Sequence, residues 1–333
     1  MASLSRGVRL PPMPRIADII RLYGLTAKKQ LSQNFILDLN VTEKIARKAN
    51  LFDTYVCEVG SGPGSITRSI LQEGVRHVAA VEIDQRFMPV LEQLADCADG
   101  YMSVHNEDIR KFNIAKALSK ANAVPWESEE LPGVRLVGNL PFSVSIPLLL
   151  QWLEAIPERK GPFTFGRVPM TLVFQKEVAE NLAAIGATML QSRLSVMTQN
   201  LCSVQRAMVM PRSMFVPEPK VDAWLVNIVP HKEAKIKAPF KIVEQVVKAV
   251  YQHRRKYIRT PLRLLFPEAE KLADDLTELS GVTATKRAHQ LTMEDFDALC
   301  QTFLELCNKH GLSNFPLKVH RPSPIVHSSV ANA

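Results

Sequence analysis

Short apolar runs alternate with helical stretches from Tyr55 to Val229, and this alternation constrains the fold more than any other feature of the chain. Apolar runs of this length, bounded by turn residues, are typical of strands, and the segments between them have the apolar spacing of helices. Strands that alternate with helices form βαβ units, so we expect an α/β fold around a mostly parallel sheet. The predicted strands are Tyr55–Val59, His77–Val81, Tyr101–His105, Arg135–Val137, Met170–Phe174 and Ala223–Val229.

The pattern changes after Pro230. Four helical stretches follow with no predicted strand between them, and Thr292 and Asp295 have the spacing of a capping box at the start of the last one. A chain of 333 residues is long enough for two domains. We therefore predict a sheet domain over 16–230 and a small all-helical domain over 231–312. The predicted helices are Phe240–Arg255, Tyr257–Leu265, Glu268–Leu279 and Asp295–Lys309.

Both ends of the chain are predicted to lie outside these domains. Residues 1–15 contain Arg6, Arg9 and Arg15 together with serines, and they contain no acidic residue. That composition is typical of a mitochondrial transit peptide, but a basic leader without a targeting function has the same composition. Residues 313–333 are rich in proline and serine, which is typical of a flexible tail.

Charge and cysteine usage narrow the classes of partner. The net charge of +8 favours a polyanionic partner. No apolar stretch of the sequence is long enough to span a bilayer. The five cysteines are odd in number and lack the spacing of a disulfide framework or a zinc site. We therefore expect a reducing compartment and no metal centre.

A glycine-rich loop, Glu58–Gly64, follows the first predicted strand and opens a helix. Gly60 and Gly62 permit a tight turn and let a ligand approach the backbone at the helix N-terminus. Glu82 ends the next strand roughly 20 residues later, where a carboxylate can bind ribose hydroxyls. Glu58 would repel a pyrophosphate but attract a cationic amino acid, so the combination favours S-adenosylmethionine over NAD. The alternative for Glu82 is an exposed carboxylate at a strand end.

Polar residues also follow the next two predicted strands. Asp108 is placed to accept a hydrogen bond from an adenine amine, although it could also be the N-cap of a helix that begins at Ile109. Asn139 follows the strand Arg135–Val137. Open α/β sheets bind ligands at the carboxyl ends of their strands, so we expect Gly60, Glu82, Asp108 and Asn139 to share one site.

The tetrapeptide Asn139-Leu140-Pro141-Phe142 has the features of a site for an unpaired base. The Asn139 side-chain oxygen and the Leu140 carbonyl can both accept hydrogen bonds from one exocyclic amine. Pro141 restricts the backbone around these acceptors, and Phe142 offers a face for stacking. The alternative is an ordinary turn followed by a core phenylalanine.

Seven motifs occur together and in order along the chain. They are Gln33-Asn34-Phe35, Glu58–Gly64, Val81–Asp84, Glu107-Asp108, Asn139–Phe142, Phe174–Ala179 and Phe215–Asp222. As a set they resemble the ribosomal RNA adenine N6-dimethyltransferase family, from about Ile16 to Leu304. Asn139–Ser145 and Gln191–Ser195 resemble the mitochondrial branch of that family.

This resemblance implies a Rossmann-like, S-adenosylmethionine-dependent methyltransferase sheet in which Phe142 and Phe215 enclose the target adenine. It implies that the cofactor is surrounded by Gln33, Asn34, Ile36, Gly60, Glu82, Ile83, Asp108 and Asn139, and the glycine loop adds Glu58 and Gly62. The residues expected to act on the adenine are Asn139, Leu140, Pro141, Phe142 and Phe215.

A basic segment, His253–Arg259, lies in the predicted helical domain, and Arg263 follows one turn later. A solvated helix face is the usual explanation of such a charge run. A base-binding site in the same chain favours an RNA phosphate groove instead. The predicted RNA-binding residues are Lys176, Arg254, Arg255, Lys256, Arg259 and Arg263.

The leading hypothesis is an enzyme that dimethylates two adjacent adenines in the 3′-terminal hairpin loop of mitochondrial small-subunit rRNA. Its expected partners are that rRNA and the immature small subunit, and its expected location is the mitochondrial matrix. One alternative is a mitochondrial transcription factor that contacts DNA or the transcription machinery and for which methylation is dispensable. Another is a large-subunit rRNA methyltransferase of the antibiotic-resistance type, which typically has Ile and Tyr in the tetrapeptide.

Overall fold

The computed structural model describes residues 8–25, 33–184, 186, 188–267, 269 and 271–312, without the side chain of Phe142. The strands in this part are β1 (Phe35–Ile36), β2 (Tyr55–Val59), β3 (His77–Val81), β4 (Met102–His105), β5 (Val134–Gly138), β6 (Met170–Gln175), β7 (Cys202–Met210), β8 (Phe215–Val216) and β9 (Ala223–Pro230). The helices are α1 (Ile16–Leu22), α2 (Leu39–Lys48), α3 (Ser65–Gln72), α4 (Met88–Cys97), α5 (Ile114–Ala117), α6 (Phe142–Ala155), α7 (Lys176–Leu182), α8 (Arg193–Leu201), α9 (Phe240–Gln252), α10 (Arg259–Leu262), α11 (Lys271–Ser280) and α12 (Met293–Lys309).

Seven strands form one sheet in the order β4-β3-β2-β5-β6-β9-β7. The first five of these run parallel, whereas β9 is antiparallel to β6 and to β7. The parallel strands are largely buried, as expected of strands covered by helices on both faces. The predicted α/β fold is confirmed. The carboxyl ends of β2, β3, β4 and β5 therefore lie at one edge of the sheet.

The described residues after Pro230 form α9 to α12 and no strand, as predicted. Thr292 and Asp295 make the predicted capping box, since the Asp295 N–H donates to Thr292 Oγ1 and the Thr292 N–H donates to Asp295 Oδ2. One apolar cluster includes both Ile228 of β9 and Val246 of α9. Because the core continues past Pro230, the division into domains at that residue stays a prediction.

Two strand regions were not predicted. The edge strand β7 alternates polar with apolar residues and follows α8 directly, so no turn residue marks where it begins. The two-residue strands β1 and β8 pair antiparallel, with Ile36 opposite Phe215, although they lie 179 positions apart. A pairing over such a distance leaves no local signal in the sequence.

Two helix predictions were wrong in their bounds. For α6, the apolar run of the sequence predicts a helix only over Leu148–Leu153. The helix in fact begins at Phe142, with Pro141 as its N-cap residue and Pro147 inside it. The basic segment is not helical over 253–258, because α9 ends at Gln252 and α10 begins only at Arg259. Ile258 is fully buried, and the turn before it directs this residue into the core.

Part of the predicted leader packs against the protein. The Val8 N–H donates to the Leu71 carbonyl, and Arg68 of α3 donates to the Pro14 carbonyl at 2.7 Å. Val8, Leu10 and Met13 also contact the apolar core. Residues 1–7 of the predicted leader and the predicted tail 313–333 lie outside the described residues. Within the described ranges, no helix combines the length and the apolar character needed to cross a membrane.

Candidate active site

A cavity lies at the edge of the sheet where β2, β3, β4 and β5 end. It is lined by twelve of the predicted site residues: Gln33, Asn34, Ile36, Gly60, Gly62, Glu82, Ile83, Asp108, Asn139, Leu140, Pro141 and Phe215. Parallel strands bring these residues together because each strand ends at the same edge. The roles of the individual residues stay predictions.

The glycine loop forms the floor of the cavity. Gly60 has φ +72°, and a Cβ at this position would lie 3.3 Å from Leu140 Cδ2. A glycine is therefore required both by the left-handed backbone and by the close approach of the two loops. Ser61 and Ser65 also line the cavity, and the buried hydroxyl of Ser65 has no hydrogen-bond partner among the described residues. Buried hydroxyls are normally paired, so Ser65 fits a polar ligand at the start of α3.

Glu82 presents its carboxylate to the cavity from the end of β3. It is buried, and its Oε2 and Oε1 accept the N–H groups of Gly62 and Asp84, both at 2.8 Å. These bonds fix the carboxylate, and each oxygen keeps a further lone pair for a ligand hydroxyl. Burial raises the pKa of Glu82. The alternative of an exposed strand-end carboxylate is wrong.

Asp108 also lines the cavity, where it forms a tight turn with Arg110. Its carboxylate accepts the Arg110 N–H at 3.0 Å and the Arg110 guanidinium at 2.6 Å, and this guanidinium lowers the pKa of Asp108. No helix begins at Ile109, since α5 begins at Ile114, so Asp108 is not the N-cap of a helix there. Gln151 of α6 donates to the Arg110 carbonyl at 2.8 Å and ties this turn to the helix that follows the tetrapeptide.

Asn139 is anchored across the cavity wall. Its Nδ2 donates to the Asn34 carbonyl at 3.0 Å, which connects the tetrapeptide to the segment before β1. Because the amide NH₂ is held in this way, the orientation of Oδ1 is fixed as well. In the described structure no donor contacts Oδ1, so this oxygen remains able to accept a hydrogen bond from a ligand amine.

The two aromatic residues predicted to enclose the adenine are Phe215 and Phe142. Phe215 lines the cavity from β8, but its ring is only 2% exposed and belongs to the apolar core. Little of this ring is open for stacking, in contrast to the sandwich that the resemblance implies. Phe142 is the first residue of α6, and its side chain lies outside the described structure. The adenine sandwich therefore stays a prediction.

Glu58 does not line the cavity. It is 1% exposed, and its Oε2 accepts a short hydrogen bond from Thr67 of α3 at 2.5 Å. Burial raises the pKa of Glu58 to about 7. The expected open carboxylate facing a ligand's ammonium group is therefore wrong in this structure, because the loop and α3 cover Glu58.

The predicted RNA-binding residues are exposed but lie outside the cavity lining. Lys176 is the first residue of α7. Arg254, Arg255 and Lys256 lie in the turn after α9, while Arg259 begins α10 and Arg263 follows it. All six are exposed, and their contacts with RNA stay a prediction.

Several lining residues were missed as site candidates: Phe35, Ser61, Pro63, Ser65, Ile66, Val81, Glu107, Ile109, Arg110, Ser143 and Val144. A local signal existed for Arg110, because Asp84 and Arg86 have the same spacing and form the same bidentate turn at the end of β3. Throughout the described ranges, no group of three or more His, Cys, Asp or Glu side chains is arranged to hold a metal ion.

Comparison with known proteins identifies relatives over most of the chain. The family model for ribosomal RNA adenine dimethylase matches residues 24–304. The dimethyladenosine transferase 1, mitochondrial, of Homo sapiens is 50% identical over 304 residues, covering 90% of this chain and 88% of that protein. The protein of the same name from Caenorhabditis elegans is 38% identical over 330 residues, covering 96% of this chain and 89% of that protein.

Solved structures share the fold. A dimethyladenosine transferase from Plasmodium falciparum has a TM-score of 0.62 at 22% identity, covering 82% of this chain and 97% of that one. The 23S rRNA methyltransferase ErmE has a TM-score of 0.56 at 23% identity, covering 81% of this chain and 99% of that one. At these identities the likeness concerns the fold alone.

Proposed function

The chain belongs to the ribosomal RNA adenine dimethylase family, and on this basis we propose that it dimethylates two adjacent adenines in the 3′-terminal hairpin loop of mitochondrial small-subunit rRNA. It is an rRNA adenine dimethyltransferase that uses S-adenosylmethionine. The proposed target rests on the Asn139 side-chain oxygen in the cavity, which is able to accept a hydrogen bond from an amine, together with relatives named mitochondrial dimethyladenosine transferases.

The cavity fits the cofactor at three places. We assign the ribose hydroxyls to Glu82, whose carboxylate is already oriented by two backbone N–H groups. We assign the adenine amine to Asp108, which would then share its oxygens with Arg110. The unpaired hydroxyl of Ser65 suits a polar group of the methionine portion. When bound there, S-adenosylmethionine supplies an electrophilic methyl group.

The tetrapeptide holds the nucleophile. Asn139 Oδ1 and the Leu140 carbonyl accept the two hydrogens of the target amine, and this directs the nitrogen lone pair toward the methyl group. Asn139 can do so without rearrangement because its amide is already bound to the Asn34 carbonyl. Positioning of this kind supplies much of the rate enhancement when two reactants must be aligned. No side chain is needed as a strong base, since the proton leaves to water after transfer.

A hairpin loop is the most economical substrate for such a site. The adenine must leave its stack to enter the cavity, and unpaired loop bases lose the least stacking and pairing energy on doing so. The basic residues after α9 would bind the phosphates of the adjoining stem. The names of the relatives and the arginine-containing N-terminus support a mitochondrial location, which we place in the matrix, and a role in small-subunit assembly.

The test is single-turnover transfer of labelled methyl groups to the 3′-terminal hairpin of mitochondrial small-subunit rRNA, both as naked RNA and within immature subunits. Matched hairpins carry guanine in place of one or both adjacent adenines. We expect transfer to the wild-type hairpin, about half as much label with one adenine, and none when both are replaced. Equal labelling of the doubly substituted hairpin would refute the proposed target.

A further inference from the structure

Two loops of the helical region are held together beside the basic segment. The turn before α10 packs against the loop before the last helix, since the Ile258 N–H donates to the Lys286 carbonyl at 2.8 Å and the Arg259 N–H donates to the Ala284 carbonyl at 3.3 Å. Tyr257 and Arg287 face each other in an antiparallel bridge. The buried Ile258 fixes the turn to the core. Tyr257 is therefore presented on a well-ordered frame.

Tyr257 and Arg287 bring an aromatic ring and a guanidinium together at the surface. Tyr257 is 45% exposed, and the guanidinium carbon of Arg287 lies over its ring, 5.8 Å from the ring centroid. Arg287 makes no ion pair with a described carboxylate, whereas its neighbour Lys286 is paired with Asp295 at 2.7 Å. The charge of Arg287 is thus available to an external anion or π-system.

The surroundings of Tyr257 are strongly cationic. Arg254, Arg255, Lys256 and Arg259 are exposed, and within the described part of the chain none of them pairs with a carboxylate. A single exposed tyrosine needs no explanation, but an exposed ring among uncompensated cations is the combination that binds single-stranded nucleic acid. The cations attract the phosphates, and the ring and the guanidinium stack on a base.

We propose that Tyr257 and Arg287 form a stacking platform for one unpaired rRNA nucleotide, separate from the cavity that receives the target adenine. Neither residue lines that cavity. The platform would bind a base that flanks the target, with the surrounding cations on its phosphates, and so fix the register of the RNA. The inference rests on the proposed function only in taking the RNA to be the small-subunit rRNA.

The experiment is a double-mutant cycle in which protein variants are paired with RNA variants and the affinity of each pair is measured. Fluorescence anisotropy measures the affinity of a labelled small-subunit rRNA hairpin with single-stranded flanks, and of a series in which each unpaired nucleotide outside the target adenines is made abasic in turn. The protein variants are Tyr257→Ala, Tyr257→Phe and Arg287→Lys. Tyr101→Ala is the matched control, because Tyr101 is also exposed but precedes β4 and so lies at the end of the strand away from the cavity.

We expect Tyr257→Ala to weaken binding by about 5- to 150-fold, as loss of one base–aromatic stack does. Its salt dependence should equal that of wild type, since no charge is removed. Tyr257→Phe and Tyr101→Ala should bind like wild type, and Arg287→Lys should lose affinity without changing the salt dependence. At one position, an abasic nucleotide should lower the RNA affinity of the wild-type protein but should not lower the RNA affinity of Tyr257→Ala any further.

Two results would overturn the platform. One is that Tyr257→Ala binds the RNA as tightly as wild type. The other is that the loss of affinity caused by Tyr257→Ala and the loss caused by each abasic position are additive. Methyl transfer to the same hairpin by wild type is measured in parallel. Transfer without coupling between Tyr257 and a base would sink the platform and leave the proposed function intact. Coupling without transfer would support the platform and count against the proposed function.

Discussion

Replacing Asn139 by alanine tests the geometry of the candidate active site most sharply. The side chain has two predicted functions, because Nδ2 donates to the Asn34 carbonyl at 3.0 Å and Oδ1 is directed to the target amine. Loss of the acceptor costs about 0.5–1.5 kcal/mol, and a partly buried carbonyl left without its donor costs about 1–3 kcal/mol. If about 1–3 kcal/mol of this total falls on the transition state, methyl transfer slows by roughly 5- to 150-fold.

The same substitution should also weaken cofactor binding. Without its tether to Asn139, the segment that contains Gln33 and Asn34 is held less firmly, so S-adenosylmethionine affinity should fall by a smaller factor than the rate. RNA affinity should hardly change, because it depends on phosphate contacts outside the cavity. Calorimetry measures the first affinity, anisotropy the second, and single-turnover transfer the rate.

Asn113→Ala is the matched control. Asn113 Oδ1 accepts the Lys116 N–H at 3.0 Å and caps α5, so this change also removes a side-chain hydrogen bond, but it does so outside the cavity lining. It should lower stability by about 1 kcal/mol without affecting the rate. The reasoning is refuted if Asn139→Ala transfers methyl groups as fast as wild type, or if Asn113→Ala slows transfer as much.

Three further predictions concern other groups of residues. Glu82→Ala should weaken S-adenosylmethionine binding by about 1–3 kcal/mol in calorimetry, because charged-acceptor hydrogen bonds are lost; unchanged heat would remove Glu82 from the site. The triple change of Arg254, Arg255 and Arg259 to alanine should weaken RNA binding and flatten its salt dependence while S-adenosylmethionine affinity stays constant, and an unaltered salt slope would contradict this. Burial raises the pKa of Glu58 from 4.5 to about 7, so the folded protein holds this proton more tightly and the free energy of unfolding contributed by Glu58 falls as pH rises from 4.5 to about 7. The free energy of unfolding, measured with urea, should therefore fall less between pH 5 and pH 8 for Glu58→Gln than for wild type. Equal decreases in the two proteins would show that this carboxyl does not take up a proton on folding.

The central strands of the sheet were predictable because nearly all of their residues are buried. The bounds of β2 and β3 agree with the predicted Tyr55–Val59 and His77–Val81. Both strands are largely buried on both faces, so apart from Glu58 and His77 their sequences are apolar runs between turn residues. The edge strand β7 has one exposed side and a register shift between Arg206 and Met208, and these features dilute the pattern.

The site was predictable where backbone requirements select residue types. Gly60 needs a left-handed backbone, and Glu82 and Asn139 follow buried strands, so their positions can be read from local patterns. The coverage of Glu58 by α3 could not be read, because it depends on how Thr67 packs against the strand. The tether between Asn139 and Asn34 spans 105 positions and has no local signal either.

The basic segment shows that a hypothesis about surface charge does not depend on the local structure that was predicted with it. Arginine and lysine favour helices, so the run after α9 has a high helix propensity. Burial of Ile258 and its bond to Lys286 instead require a turn. The same cations are exposed in both cases, but only the turn places Tyr257 opposite Arg287.

We propose that this chain dimethylates the small-subunit rRNA in mitochondria. Mass spectrometry of the 3′-terminal fragment of that rRNA, from cells depleted of the protein and from cells that re-express it, measures this directly. We predict that both adjacent dimethyladenosines disappear on depletion, return with the wild-type chain, and return far more slowly with Asn139→Ala. A fragment that stays fully dimethylated after depletion would show that another enzyme modifies these adenines.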